Sequence, residues 1–568
     1  MTPTEKAAPA PDQPTAYVNA RLMDPATGRD TPGALLSLNG KIADLGENLF
    51  SGGVPDSIQT IDCNGHILAP GLIDMRVHLG EPGEEHKDTI ASATAAAAAG
   101  GITTMVCLPN TNPPIDDVSL IEFMARRARE KGLVKIYPYA AITRGCAGTE
   151  LAEMGILAEA GAMAFTDGQR ALANSLVMRR ALSYASTFDL LIMQHPEDPE
   201  LVEDGVMNEG EVATRLGLSG IPSAAEPIMV ARDMRLVEIT GARYHVGHIS
   251  TADAIDIVRR AKARGLPVTC DTAPHYFTLN ETAVGNYRTF AKTSPPLRSE
   301  EDRLAVIEGL KDGSIDAIAS DHTPQDQDSK RLPFAQAECG IAGLETLLPL
   351  SLALYHSGEM TLLDVLGKLT ANPADLLRLD EGRLAVGAPA DLVVIDPNAV
   401  IGKLHELGLT ALPRVVLPPP QTYDPDAKTF QRSIDVPLDN LADAAMVTLE
   451  FRPAIRDFPA NAVLKTVVDG SESAFSTAND DLQRLLGFDA KGDVATATLV
   501  LDAIPKDGRV RFQFESPTGT LHPPACTVYS YLRLPVGVSV DFRPNVIANA
   551  AQPPFRVSAA HGATWLCA

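Results

Sequence analysis

Arg76 and His78 stand two positions apart, just after the apolar run Ile67-Leu-Ala-Pro-Gly-Leu-Ile73. That run reads as a buried strand. Residues i and i+2 of a strand face the same side, so a His-x-His pair here would bring two imidazoles onto one metal ion. In this chain the first member of the pair is an arginine. A guanidinium is always protonated and offers no lone pair, so it cannot ligate a cation. The position therefore carries one candidate ligand, His78, and one fixed positive charge.

Four more residues with ligand chemistry follow apolar runs: Asp167 in Ala164-Phe-Thr-Asp-Gly168, His195 in Met193-Gln-His-Pro-Glu-Asp198, His248 in Val246-Gly-His-Ile-Ser-Thr251 and Asp321 in Ala319-Ser-Asp-His-Thr-Pro324. Singly, each reads most simply as a satisfied polar residue or a turn cap. Together, imidazole and carboxylate donors at successive strand ends suit Zn²⁺ or a similar ion.

The elements that must position them alternate. After Ile67 the pattern is strand, loop, helix, repeated. The strands are Ile102–Leu108, Val134–Tyr139, Ala162–Phe165, Leu190–Met193, Arg243–Val246, Pro267–Cys270 and Ala317–Ala319. Helices fall between them, such as an Ala-rich one over Ala91–Ala99 and an amphipathic one over Ala252–Ala263. Alternation over such a length, with the polar residues just past the strands, predicts a (β/α)8 barrel rather than an open sheet. Residues 67–376 are assigned to it. Residues 16–66 and 377–398 read as a small β-domain built from both flanks, with Asn39-Gly40 as a hairpin turn. Residues 1–15 read as a disordered tail and residues 399–430, with Pro418-Pro-Pro420, as a Pro-rich linker or insertion. Residues 431–568 read as an additional β-rich segment of unknown role.

The totals set bounds. The chain has 568 residues, 45% hydrophobic and 21% charged, as in ordinary globular proteins of two or three domains. A net charge of −24 argues against nucleic acid or an anionic membrane as partner. No apolar run is long enough to span a bilayer. The seven cysteines are scattered and odd in number, which predicts reduced thiols and a cytoplasmic protein. Cys63, Cys107, Cys270 and Cys339 are expected in the core.

The segments Leu108-Pro-Asn-Thr-Asn-Pro-Pro114, Val206-Met-Asn-Glu-Gly210, His248-Ile-Ser-Thr-Ala252, Ser294-Pro-Pro-Leu-Arg298, Ala319-Ser-Asp-His-Thr-Pro324 and Gly340-Ile-Ala-Gly-Leu-Glu-Thr346 carry a further inference. On these motifs the run from Gly71 to about Asp396 resembles the class I dihydroorotases of the amidohydrolase superfamily. That family interconverts N-carbamoyl-L-aspartate and dihydroorotate in pyrimidine synthesis with one or two zinc ions. The resemblance implies that Asp167 bridges metals, that His195 and His248 hold the second ion, and that His78 and Asp321 hold the first. It makes Asp321 the general base as well and Asn110 a substrate-binding residue. It also implies a small-molecule substrate, a homo-oligomer and no contact with nucleic acid or membrane.

The departures from the family pattern fall at the site. Arg76 replaces a ligand, and Gly80 and Gln325 stand where the family aims an arginine and a histidine at the substrate carboxylate. Ser294 replaces an asparagine, and Gly168 an aspartate. Arg76 is expected to pair with Asp321 or Asp167 and, with Gln325 and Asn110, to line the substrate position. At most one zinc ion is expected, on Asp167, His195 and His248. Two readings follow: a weakened dihydroorotase, or a catalytically degenerate homologue that assembles with aspartate transcarbamoylase.

Overall fold

The computed structural model describes residues 14–397 throughout and, beyond them, the backbone of strands between Arg414 and Trp565. The predicted tail, apart from its last two residues, lies outside the described residues. Chain contacts divide into two units, Met1–Pro397 and Asn398–Ala568.

The first unit begins with a sheet made from both flanks. Thr15–Asp24 pairs antiparallel with Arg29–Leu38, which pairs with Lys41–Gly46. Asn39 and Gly40 both have positive φ, 52° and 70°, so the two-residue turn matches the twist of the strands it joins. Ile67–Pro70 pairs with Leu392–Ile395 of the other flank. This corrects the single strand read over Ile67–Ile73. The run divides at Gly71, and only Leu72–Val77 enters the barrel. A Cβ at Gly71 would lie 2.1 Å from Thr103 Oγ1, so the break needs glycine.

The remaining strands close a ring. Leu72–Val77, Ile102–Cys107 and Lys135–Pro138 pair in parallel. Parallel bridges Ala140–Phe165 and Phe165–Ile192 carry the ring through the short fourth strand to Leu191–Gln194. Arg243–Val246, Val268–Thr272 and Ala317–Ile318 follow, again parallel. The parallel bridge Val77–His322, with His78 N–H donating to His322 O at 2.8 Å, joins the eighth strand to the first. The fold is the amidohydrolase (β/α)8 barrel with its small β-domain.

Helices wrap the ring as their caps dictate. Thr89 caps Ile90–Ala99 in a capping box, and Gly100 ends it. Thr251 caps Ala252–Ala263, whose buried Ala254, Ile255, Val258 and Ala261 recur at helical spacing. Cys63, Cys107 and Cys270 are buried, whereas Cys339 is half-buried. Among the described residues no helix is long and apolar enough to cross a membrane.

The second unit is antiparallel β-structure. Arg414–Val416, Ala525–Leu532, Ala444–Arg452 and Ala497–Leu501 form one sheet. Thr422–Asp424, Thr429–Pro437, Arg509–Ser516, Val463–Val468 and Ser471–Ser476 form another. Two of these strands, Arg414–Val416 and Thr422–Asp424, fall within residues 399–430.

Candidate active site

Parallel strands bring their C-terminal ends to one mouth of a barrel. Arg76 lies in the first strand, where the pairing register slips between Asp74 and Val77. Such an irregularity re-aims side chains. The Arg76 side chain is 1% exposed, and its Nε–H donates to Asp321 Oδ1 at 3.0 Å. The sequence left Asp321 and Asp167 open as partners, and the structure pairs Arg76 with Asp321. Nη1 and Nη2 of Arg76 have no acceptor among the described residues. Gly247 makes room for them, since a Cβ there would stand 3.1 Å from Nη1.

Asp321 and His248 both hold positive φ, 51° and 38°. For residues with a Cβ this region costs about 1–3 kcal/mol, and such strain gathers at functional sites. Burial pushes the Asp321 carboxyl up to about 6, against the pull of Arg76. Desolvation outweighs the pull of the ion pair on this carboxyl. His275 Nε2 lies 3.9 Å from Asp321 Oδ2, and burial takes its pKa down to about 3, so it is a neutral neighbour.

His195 Nδ1 and His248 Nε2 share a hydrogen bond of 2.8 Å. The other nitrogen of His195 meets Glu197 Oε2 at 3.2 Å, and Ser294 Oγ–H donates to the same oxygen at 2.8 Å. Burial first, then Arg76 and His195, hold His248 well below its ordinary pKa. Asp167 is spoken for too. Thr143 donates from N–H to Oδ1 at 2.9 Å and from Oγ1–H to Oδ2 at 2.5 Å. Burial raises the Asp167 pKa despite these bonds. His78 faces Glu84, Nε2 to Oε2 at 3.5 Å, with Asn110 alongside.

The metal expectation does not fit this arrangement. Two imidazole nitrogens on a tetrahedral zinc lie roughly 3.3 Å apart, given Zn–N bonds of about 2.0–2.1 Å. The 2.8 Å separation of His195 and His248 is that of a hydrogen bond. Among the described residues no three His, Cys, Asp or Glu side chains converge as a metal-holding group.

Asn110 and Gln325 keep free acceptors. Asn110 Oδ1 and Gln325 Oε1 are buried without a donor, while Gln325 Nε2–H donates to Cys339 O at 2.9 Å. Gly80 is not merely an arginine lost. A Cβ there would lie 2.3 Å from Glu84 O and 2.5 Å from Asp88 O, because the loop folds back over it. Glu84 and Asp88 of that loop meet His78 and, at 3.1 Å, His322 Nε2.

The sequence reading passed over Glu84, Asp88, Thr143, Glu197, His275 and His322. His275 follows an apolar strand as the chosen residues do, so the same rule finds it. Glu84 and Asp88 belong to a polar loop whose fold-back depends on Gly80, and no spacing signals that.

Comparison with known proteins places this geometry. Residues 65–254 match the family model described as Dihydro-orotase-like. A protein named Dihydroorotase from Anaplasma phagocytophilum is 50% identical over 384 residues, covering 67% of this chain and 86% of that protein. The chain belongs to the dihydroorotase family. One from Syntrophus aciditrophicus is 49% identical over 378 residues, covering 66% of this chain and 88% of that protein. Among solved structures, the L-hydantoinase of Arthrobacter aurescens shares the fold, with a TM-score of 0.61 at 24% identity over 67% of this chain and 86% of its own. A D-hydantoinase from a Thermus species gives 0.56 at 26% identity over the same shares. Family members of this kind are generally metal-dependent; here His195 and His248 bond each other and Asp167 accepts from Thr143, while Nδ1 of His78 and Nδ1 of His248 have no partner among the described residues.

Proposed function

We propose that the chain serves the dihydroorotase step of pyrimidine synthesis, interconverting N-carbamoyl-L-aspartate and dihydroorotate, with weak turnover. One observation carries the reading beyond family membership. The barrel holds two guanidinium donors, on Arg76, and two amide acceptors, on Asn110 and Gln325, all buried and without partners. Buried polar groups are costly to leave unpaired. A cyclic ureide presents C=O and N–H groups in alternation and supplies the complements.

In the hydrolytic direction water attacks the ring carbonyl carbon. Asp321 takes its proton and returns it to the ring nitrogen as the C–N bond breaks. Arg76 supplies donors to the oxygen on which charge develops. Weakness follows from Asp321 sharing Oδ1 with Arg76 and from the absence of a carboxylate-binding arginine at position 80. Steady-state hydrolysis of dihydroorotate by the full chain tests the reading. Loss of turnover in Asp321→Asn is expected, and a rate unchanged by that substitution defeats it.

The second reading, a degenerate homologue that assembles with aspartate transcarbamoylase, is favoured by the same engaged Asp321. Co-sedimentation of the two proteins, with no turnover by this chain alone, selects it.

A further inference from the structure

We infer that the guanidinium of Arg76 is the resident cation of this barrel mouth, standing in for a metal ion that the site does not take. The inference rests on how each donor is used, and it holds under either functional reading.

Five candidate ligands are each turned to a partner inside the protein. Asp321 accepts from Arg76, His195 and His248 bond one another, Asp167 is held twice by Thr143, and His78 faces Glu84. A metal ion would have to break several of these at once. It would also enter beside a buried positive charge, where repulsion is poorly screened. The neighbouring positions leave the guanidinium its place. Gly247 leaves space against Nη1, and Ser294 bonds Glu197 and sits 3.2 Å from His195 Nε2. Arg76 is also tied to its strand, so its charge cannot be lost to solvent or to a chelator.

The test uses the full chain, expressed with zinc in the medium and purified without chelator. Metal content is measured by elemental analysis, and thermal unfolding is followed before and after dialysis against a strong chelator. The expected result is well under one transition metal ion per chain and an unchanged Tm. A stoichiometric ion, or a Tm that falls on chelation and recovers with zinc, overturns the inference. A second arm measures the pairing itself. Arg76→Met and Asp321→Asn, singly and together, are compared by urea unfolding. If Arg76 is the compensating charge, the double variant is more stable than the sum of the single losses predicts. Simple additivity overturns the inference. Neither arm uses dihydroorotate, so its outcome is separate from that of the turnover assay.

Discussion

The two sides of the barrel mouth engage their ligand-type residues in different ways. On the side of the first and eighth strands, the change is in identity: an arginine occupies a ligand position and binds Asp321. On the side of the fifth and sixth strands, His195 and His248 are both retained, yet they are spent on each other. Asp167, earlier than both in the chain, is spent on Thr143. The difference shows two ways in which a residue of ligand type finds a partner inside the protein: a cation from another strand, or a neighbouring polar side chain. Once one position no longer ligates, neighbouring donors gain more by pairing than by waiting, because an unpaired buried polar group costs about 1–3 kcal/mol.

The contrast is broken most forcefully on the charged side. Arg76→Ala leaves a buried carboxylate without its cation and is expected to cost about 3–5 kcal/mol of unfolding free energy. Urea denaturation of the full chain measures it, and a loss below that of His195→Ala would erase the distinction between the two sides. Gly80→Arg comes next. The new side chain meets the backbone of Glu84 and Asp88, so a loss of about 1–3 kcal/mol is expected with no gain in turnover. Gln325→His added to it recovers nothing until that loop is rebuilt, and kinetics on the single and double variants check this.

On the neutral side, Ser294→Ala removes one hydrogen bond to Glu197 and is expected to cost about 0.5–1.5 kcal/mol by the same measurement. Asp233 supplies a control away from both pairs. Burial raises its folded pKa to about 6 from an ordinary 3.8. The folded state therefore holds the proton more tightly, and its contribution to stability is full below about pH 3.8 and lost as pH rises through about 6. Asp233→Asn should flatten the pH dependence of Tm across that window and leave the Arg76 variants' losses unchanged.

Much of the frame was legible in the sequence. Apolar runs located the eight strands because parallel strands covered on both faces are continuously hydrophobic. The polar residues after six of the runs, from His78 to Asp321, marked the mouth. The division at Gly71 was not legible, since Ile67–Ile73 reads as one run until Thr103 is packed against it. Nor were the pairings of the site. Arg76 with either aspartate satisfied the same charge rule, and only the closed ring selects Asp321. The loop from Gly80 to Asp88 showed its residues but not its path. A glycine in place of an arginine looks like a lost contact until the backbone that needs the space is seen.

The ring is sealed where Val77 meets His322, one residue from each member of the Arg76–Asp321 pair. Those two side chains are 245 positions apart in sequence. Contacts of such separation must wait for a large loop to close, so this ion pair forms among the last steps of folding. An interaction missing from the transition state alters the rate of leaving the native state rather than the rate of reaching it. The guanidinium is thus a kinetic clasp on the barrel: cutting it shortens the lifetime of the folded chain while refolding proceeds at nearly its former pace.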